Sequence, residues 1–202
     1  MDLKHFGDAY DIVKKSLLEW LAAFGPWGVH PMFTHKVTSA EAAAFSRLLG
    51  APLLSTEVLR LDSDRTEYFA ACGDCRSIFL DPDTGLRLHR RQRHRSTEFV
   101  FADELAAIVN ERPNGLVMTF DQSLPRGDEN AKVRSKLDHF VGHGVAGFAY
   151  VSQVCFLVLG QSTQIVNQAR KDVLDKSGLP KARIVTAASP NSALHAMARR
   201  IP

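Results

Sequence analysis

What this chain lacks narrows it first. Its three cysteines, Cys72, Cys75 and Cys155, are too few and odd in number for a disulfide framework, which points to a reducing, cytoplasmic setting. No apolar run reaches the roughly 18 residues that a membrane span needs. The beginning carries no apolar stretch followed by a small-residue cleavage site. No membrane partner is therefore expected. Neither GxxxxGK[ST] nor GxGxxG occurs, which removes the familiar nucleotide-binding loops. No serine sits in a GxSxG turn, and Asp121-Gln122-Ser123 has no evident His partner, so the chain does not read as a serine hydrolase. A second CxxC is missing, and His89 and His94 stand at no zinc-ligand spacing from the first. Cys72 and Cys75 therefore read as chance or as a buried thiol pair, and Cys155 reads as core. Charge of one sign is scarce too. With 25 Lys and Arg against 22 Asp and Glu, the formal net charge is only +3, and no whole-molecule attraction to nucleic acid follows.

What is present suits one α/β domain spanning residues 1–202, with 45% hydrophobic and 23% charged residues. The stretch from Ile78 to Leu86 organises the rest. Three apolar residues, Ile78 to Leu80, run into Asp81-Pro82-Asp83-Thr84-Gly85, a short buried strand that meets a sharp turn. In open α/β sheets, ligands bind outside the carboxyl ends of the strands, where such a turn lies. Around it, apolar spacing predicts a helix over 8–24 capped by Asp8, with Ile12, Leu17, Leu18, Leu21 and Phe24 on its inner face. Further along come a strand from Val29 to Thr34, a helix capped by Ser39 and stopped by Gly50, and a strand over 53–61. A short helix follows at 64–75. Past the Ile78 strand come a helix from Asp103 to before Pro113, a strand over 115–123, and a helix ending near Gly142. Residues 147–161 read as a hairpin broken near Ser152 and Gln153, followed by a last helix and a final strand. This alternation predicts a three-layer, Rossmann-like fold. Its sheet would be mostly parallel, with helices on both faces and a C-terminal antiparallel hairpin at one edge.

Two groups of residues carry candidate chemistry. Asp81 and Asp83, two residues apart at a strand end, are of the type that holds Mg²⁺ or Mn²⁺ or divides into acid and base, and Asp121 at the end of a neighbouring strand offers a third oxygen ligand. The competing reading is a plain turn, which favours Asp, Pro and Gly. Directly after it come Arg87, His89, Arg90, Arg91, Arg93, His94 and Arg95 with no acid among them. Clustered guanidinium groups bind phosphate by charge and paired hydrogen bonds, and here they are placed to position a nucleic-acid backbone. The competing reading is a solvated loop. Elsewhere, His30 and His35 flank the first strand. His139 and His143 lie four apart near a helix end and, lacking a carboxylate partner, read as imidazoles that stabilise a helix C-terminus.

Two stretches together carry a resemblance. Gly7-Asp8-Ala9-Tyr10-Asp11-Ile12-Val13-Lys14, leading into an apolar helix, resembles the opening of some ribosomal-RNA adenine methyltransferases and of an uncharacterised bacterial protein group. Asp81-Pro82-Asp83-Thr84-Gly85 resembles the Asp-Pro-Pro-Tyr motif of adenine methyltransferases. The resemblance implies a class I methyltransferase-like fold, with Asp81 in the catalytic position, Lys14 toward the cofactor end, and S-adenosylmethionine as cofactor. The family's Gly-rich turn after the first strand is replaced by His35-Lys36-Val37-Thr38, a degenerate cofactor loop. Three functions follow as expectations. The first is a metal-dependent enzyme acting on nucleic acid or another phosphate-bearing substrate, with Asp81, Asp83 and Asp121 as site residues, Asp81 and Asp83 as metal ligands, and Lys14, Arg87, Arg90, Arg91 and Arg93 on the phosphates. The second is a methyltransferase-like enzyme. The third is a non-catalytic module that binds nucleic acid or a protein.

Overall fold

Asp8 sets the first boundary. Its carboxylate accepts the N–H groups of Tyr10 (2.8 Å) and Asp11 (3.1 Å), which starts helix α1, Ala9–Trp20. The structure, a computed structural model, describes residues 3–73, 75–90, 95–123 and 128–188. Strand β1, Trp27–His30, follows, starting and ending earlier than its apolar run suggests. Thr38, not Ser39, caps helix α2, Ser39–Leu49. Glu41 decides this, because its carboxylate reaches back to the Thr38 N–H (2.7 Å) while its own N–H donates to the Thr38 hydroxyl (3.2 Å), closing a capping box. Residues 53–61 do not form the expected strand. They touch β1 at one isolated bridge, Val29 to Leu53, and the stretch after it at another, Phe33 to Val58, and Leu61 is left 65% exposed.

Helix α3, Arg65–Ala70, leads to β2, Ser77–Leu80. The turn after it opens into β3, Gly85–Arg87, which pairs in parallel with β4, Phe99–Phe101, in a two-stranded sheet that the sequence pattern does not announce. Then come α4, Ala102–Asn110, β5, Val117–Asp121, and α5, Glu129–Val141. The hairpin falls where expected, as β6, Ala146–Val151, and β7, Cys155–Gly160. Helix α6, Thr163–Ser177, and β8, Ile184–Thr186, complete the described chain.

The main sheet has the order β1-β2-β5-β7-β6-β8. Strands β1, β2 and β5 are parallel, while β5–β7, β7–β6 and β6–β8 are antiparallel. The sheet is therefore mixed and not mostly parallel. The hairpin does not sit at an edge. The tight turn makes β7 antiparallel to β6, and β7 inserts between β5 and β6 where its fully apolar residues are buried on both faces, while β8 takes the edge.

Successive strand residues point to opposite faces. Ile78, Leu80, Val117, Leu157 and Leu159 join a core with Phe69 of α3, Leu105 of α4 and Phe140 of α5. Phe79, Met118, Phe156 and Val158 face the other way, onto Leu17 of α1, Phe45 of α2 and Val173 of α6. Helices thus cover both faces, and each such fully buried side chain contributes about 1.5–3 kcal/mol. None of the described helices is long and apolar enough to cross a membrane.

The first turns of α1 depart from the apolar pattern. Ile12 is 51% exposed, and the buried face there carries Asp11 and Lys14 above Leu17 and Leu18. Two charged side chains enter the interior at the carboxyl end of the parallel strands.

Candidate active site

Asp81 follows the last residue of β2, and its N–H donates to the carbonyl of His30 at the end of β1 (3.0 Å). This extends the parallel ladder by one step and turns the carboxylate inward, 1% exposed. Lys14 meets it there. The Lys14 ammonium donates to Asp81 Oδ2 (2.8 Å) and to Asp11 Oδ1 (2.9 Å), while Asp11 Oδ2 accepts the N–H of Gly7 (2.9 Å). Burial opposes the charge on Lys14, but Asp81 and Asp11 outweigh it and hold the ammonium above the ordinary lysine range. Burial pushes the Asp81 carboxyl up, against the pull of Lys14. The Lys14 ammonium also lies 5.1 Å from the centre of the Phe120 ring, within cation–π range.

A cleft of about 320 Å³ opens over this cluster, lined by Asp8, Tyr10, Asp11, Lys14, Asp81, Asp83, Phe120 and Gln122, with His5 and Pro82. That volume lies at the lower end of the range for small-ligand sites, about 300–1,000 Å³. Of its lining, the Tyr10 and Phe120 rings pack on each other, centres 6.1 Å apart and planes tilted by 51°. Its side-chain polar groups are four carboxylates, one lysine, the His5 imidazole, the Tyr10 hydroxyl and the Gln122 amide, so acidic groups outnumber basic ones. Such a cleft suits hydrogen-bond donors or cations and repels phosphate.

Asp83 reaches this cleft and Asp121 does not. The Asp121 carboxylate, fully buried, faces away toward α5 and β3. Its Oδ2 accepts from Lys136 (2.5 Å). Its Oδ1 accepts from the Ser123 hydroxyl (2.6 Å), the Ser123 N–H (3.0 Å) and the Leu86 N–H (3.2 Å). Lys136 also donates to the Leu86 carbonyl (2.9 Å) and the Ser123 hydroxyl (3.0 Å). This network ties β3 to β5 and α5. The expected three-acid convergence is therefore absent, and the two inward-turned acids do not fit a divalent ion. Asp81 Oδ2 and Asp121 Oδ2 are each held by a lysine, which already supplies the positive charge an ion would bring. Among the described residues, no group of three or more His, Cys, Asp or Glu stands arranged to hold a metal.

Arg90 and Arg95 of the basic run also spend their charge internally. Arg90 bridges Asp103 (2.9 Å) and Glu104 (2.8 Å), and Arg95 pairs with Glu98 (2.5 Å). The Arg87 guanidinium lies 3.7 Å from the centre of the Phe99 ring. Arg91, Arg93 and His94 lie outside the described residues. Glu104 also takes Arg65 at 2.5 Å, a residue that carried no sequence signal.

Among the other flagged groups, Cys72 is buried, and burial pushes its thiol up to about 12. Cys155 is buried as expected of core. His30 is fully buried, and burial lowers it to about 4, with its Nε2 3.3 Å from the Tyr68 carbonyl. The turn after β1 differs from a cofactor cradle. Met32 adopts φ +48, and Met32 and Phe33 are both fully buried, one in each core. Side chains fill the space where a Gly-rich turn would leave bare backbone, so S-adenosylmethionine does not fit there in the methyltransferase manner.

Sequence reasoning missed Asp11, Tyr10, Phe120 and Lys136. Asp11 and Lys14, three apart on α1, share a helix face, a signal visible in the sequence. Comparison with known protein families, curated proteins and solved structures finds no match to this chain.

Proposed function

We propose that this chain is an enzyme of methyltransferase-like plan that takes an amine-bearing planar ring, a nucleobase, at the carboxyl ends of β2 and β5. One observation carries the proposal. The two short stretches that resemble adenine methyltransferases meet, Lys14 of the first lying 2.8 Å from Asp81 of the second. The position of β7, antiparallel between β5 and β6, suits the same plan. So does the apolar edge that the contacting Tyr10 and Phe120 rings give the cleft, against which a flat ring can pack.

In this reading Asp81 accepts a hydrogen bond from the exocyclic amino group of the base. A carboxylate in that position draws electron density onto the nitrogen and favours substitution there. Lys14 is the positioning residue. Its charge opposes the rise that burial imposes on the Asp81 carboxyl, and Asp11, fixed by the Gly7 N–H, keeps Lys14 turned toward it. Gln122 supplies both a donor and an acceptor at the rim. Because the centre carries excess negative charge, nucleic acid would be engaged through a base and not through a phosphate. No donor step is assigned, since the turn after β1 does not suit the family's cofactor.

The test is fluorescence anisotropy with a short adenine-bearing single-stranded oligonucleotide and an abasic copy of the same backbone. The proposal expects tighter binding of the adenine form, with the preference lost in Phe120→Ala. Equal affinity for the two would overturn it.

A further inference from the structure

Helix α6 and the edge strand β8 enclose a groove of about 950 Å³ that shares no lining residue with the cleft. Among the described residues that line it, Arg170, Lys171 and Lys181 stand against a single acid, Asp175. Lys171 and Lys181 are exposed. Unlike Arg65, Arg90 and Arg95, none of these three cations forms an ion pair within the described chain. Asp172, next to Lys171, is taken by Lys176 (3.0 Å) and Gln168 (2.7 Å). The Arg170 Nε is buried without a hydrogen-bond partner, and a buried donor left unmade is costly. The groove therefore holds positive charge that the fold itself does not use.

We propose that this groove binds the sugar–phosphate backbone of a single nucleic-acid strand. Its length suits a linear polyanion. Thr163 and Asp175 both line it and belong to the same helix, which puts them roughly 18 Å apart at about 1.5 Å per residue. That is the reach of about five phosphates at about 3.4 Å each along a strand. The Arg170 guanidinium matches phosphate oxygens with a planar fork, and the two lysines meet them as point charges. Gln164 and Asn167 add side-chain amide donors. Leu174 and Ile184 supply apolar surface for the sugar edges, and no aromatic ring for a base to stack on stands among the described lining residues. The contact is therefore to backbone and independent of sequence. The choice of nucleic acid over other linear polyanions rests on the reading of the cleft as a base site. Helix α6 covers the same sheet face as α1, with Val166 and Val173 in one core with Leu17, and Lys176 Nζ of α6 donates to the Trp20 carbonyl of α1 (2.7 Å). Groove and cleft are thus built on neighbouring helices of one face.

The test is a salt titration of the full chain with a labelled abasic single strand, followed by fluorescence anisotropy. Three cations on a single strand predict a slope of log affinity against log salt of about −2, roughly a twentyfold loss between about 50 and 200 mM salt. The double variant Lys171→Gln/Lys181→Gln alters exposed side chains, so the fold is not threatened, and its slope should fall to about −0.7. Lys36→Gln/Arg60→Gln removes the same charge from exposed positions outside the groove and should leave the wild-type slope. No binding of the abasic strand would overturn the proposal, as would equal weakening by the two double variants, which would reduce the effect to net charge. The base reading fails separately. Equal binding of adenine-bearing and abasic strands that still depends on Lys171 and Lys181 would remove the base and keep the groove, whereas an adenine preference with both affinities indifferent to those lysines would remove the groove alone.

Discussion

Lys14 and Asp81 stand 67 positions apart in sequence and 2.8 Å apart in space, and both are almost fully buried. Their ion pair fastens the first turns of α1 to the carboxyl end of β2. It does so at an energetic cost. A buried pair is often no more stable than apolar residues of the same volume, but removing one partner strands the other. Such an arrangement at a cleft is more economically explained by chemistry than by stability.

Replacement of Lys14 by Met should therefore destabilise the chain by about 3–5 kcal/mol, since Asp81 and Asp11 would be left buried without a counter-charge. The double variant Lys14→Met/Asp81→Asn should lose less than the sum of the two single losses. Urea unfolding of all four proteins checks this, and simple additivity would remove the pairing from the account.

His30 predicts a pH dependence. Its folded value, about 4, lies below the ordinary 6.5, so the unfolded chain binds the extra proton first as pH falls. The contribution is complete above about pH 6.5 and is lost on descent toward pH 4, reaching about 2 kcal/mol by pH 5. Unfolding free energies between pH 7 and pH 5 should show this slope, and His30→Gln should flatten it.

Gly85 has φ +137, and a Cβ there would meet Asp121 Oδ1. Gly85→Ala should cost about 2 kcal/mol or more through strain and crowding. A thermal midpoint unchanged from wild type would show that the Asp121–Lys136 network tolerates displacement.

Metal addition separates the cleft from a divalent-ion site. With Lys14 on Asp81, millimolar Mg²⁺ or Mn²⁺ should leave the melting midpoint unmoved. A rise that disappears in Asp81→Asn would mean that an ion binds the native state there and would restore metal-dependent chemistry.

Much of the architecture was legible in local signals. Asp8 as a cap, Gly50 as a stop and the break near Ser152 all follow from residue chemistry that acts over a few positions. Strand pairing was not. Nothing local tells β7 to pair with β5, or tells β3 and β4 to form a second sheet, because those choices depend on which faces remain to be buried. The site divided along the same line. Asp81 was visible as a carboxylate at a strand end. Its orientation was not, since that depends on a lysine 67 positions away. Asp121 illustrates the converse. It sits at the end of β5 as expected, yet Lys136 on α5 draws it away from the cleft. Arg90 reads as a phosphate contact because its acidic partners, Asp103 and Glu104, lie in a different element.

The central claim is that Asp81 receives the amino group of a base. Calorimetric titration with adenosine of the wild-type chain and of Asp81→Asn tests it most directly, with Asp83→Asn as a control that alters the same cleft. The account predicts binding to wild type and to Asp83→Asn, and its loss in a folded Asp81→Asn. Equal binding to wild type and Asp81→Asn, or no heat from any of the three at millimolar adenosine, would contradict it.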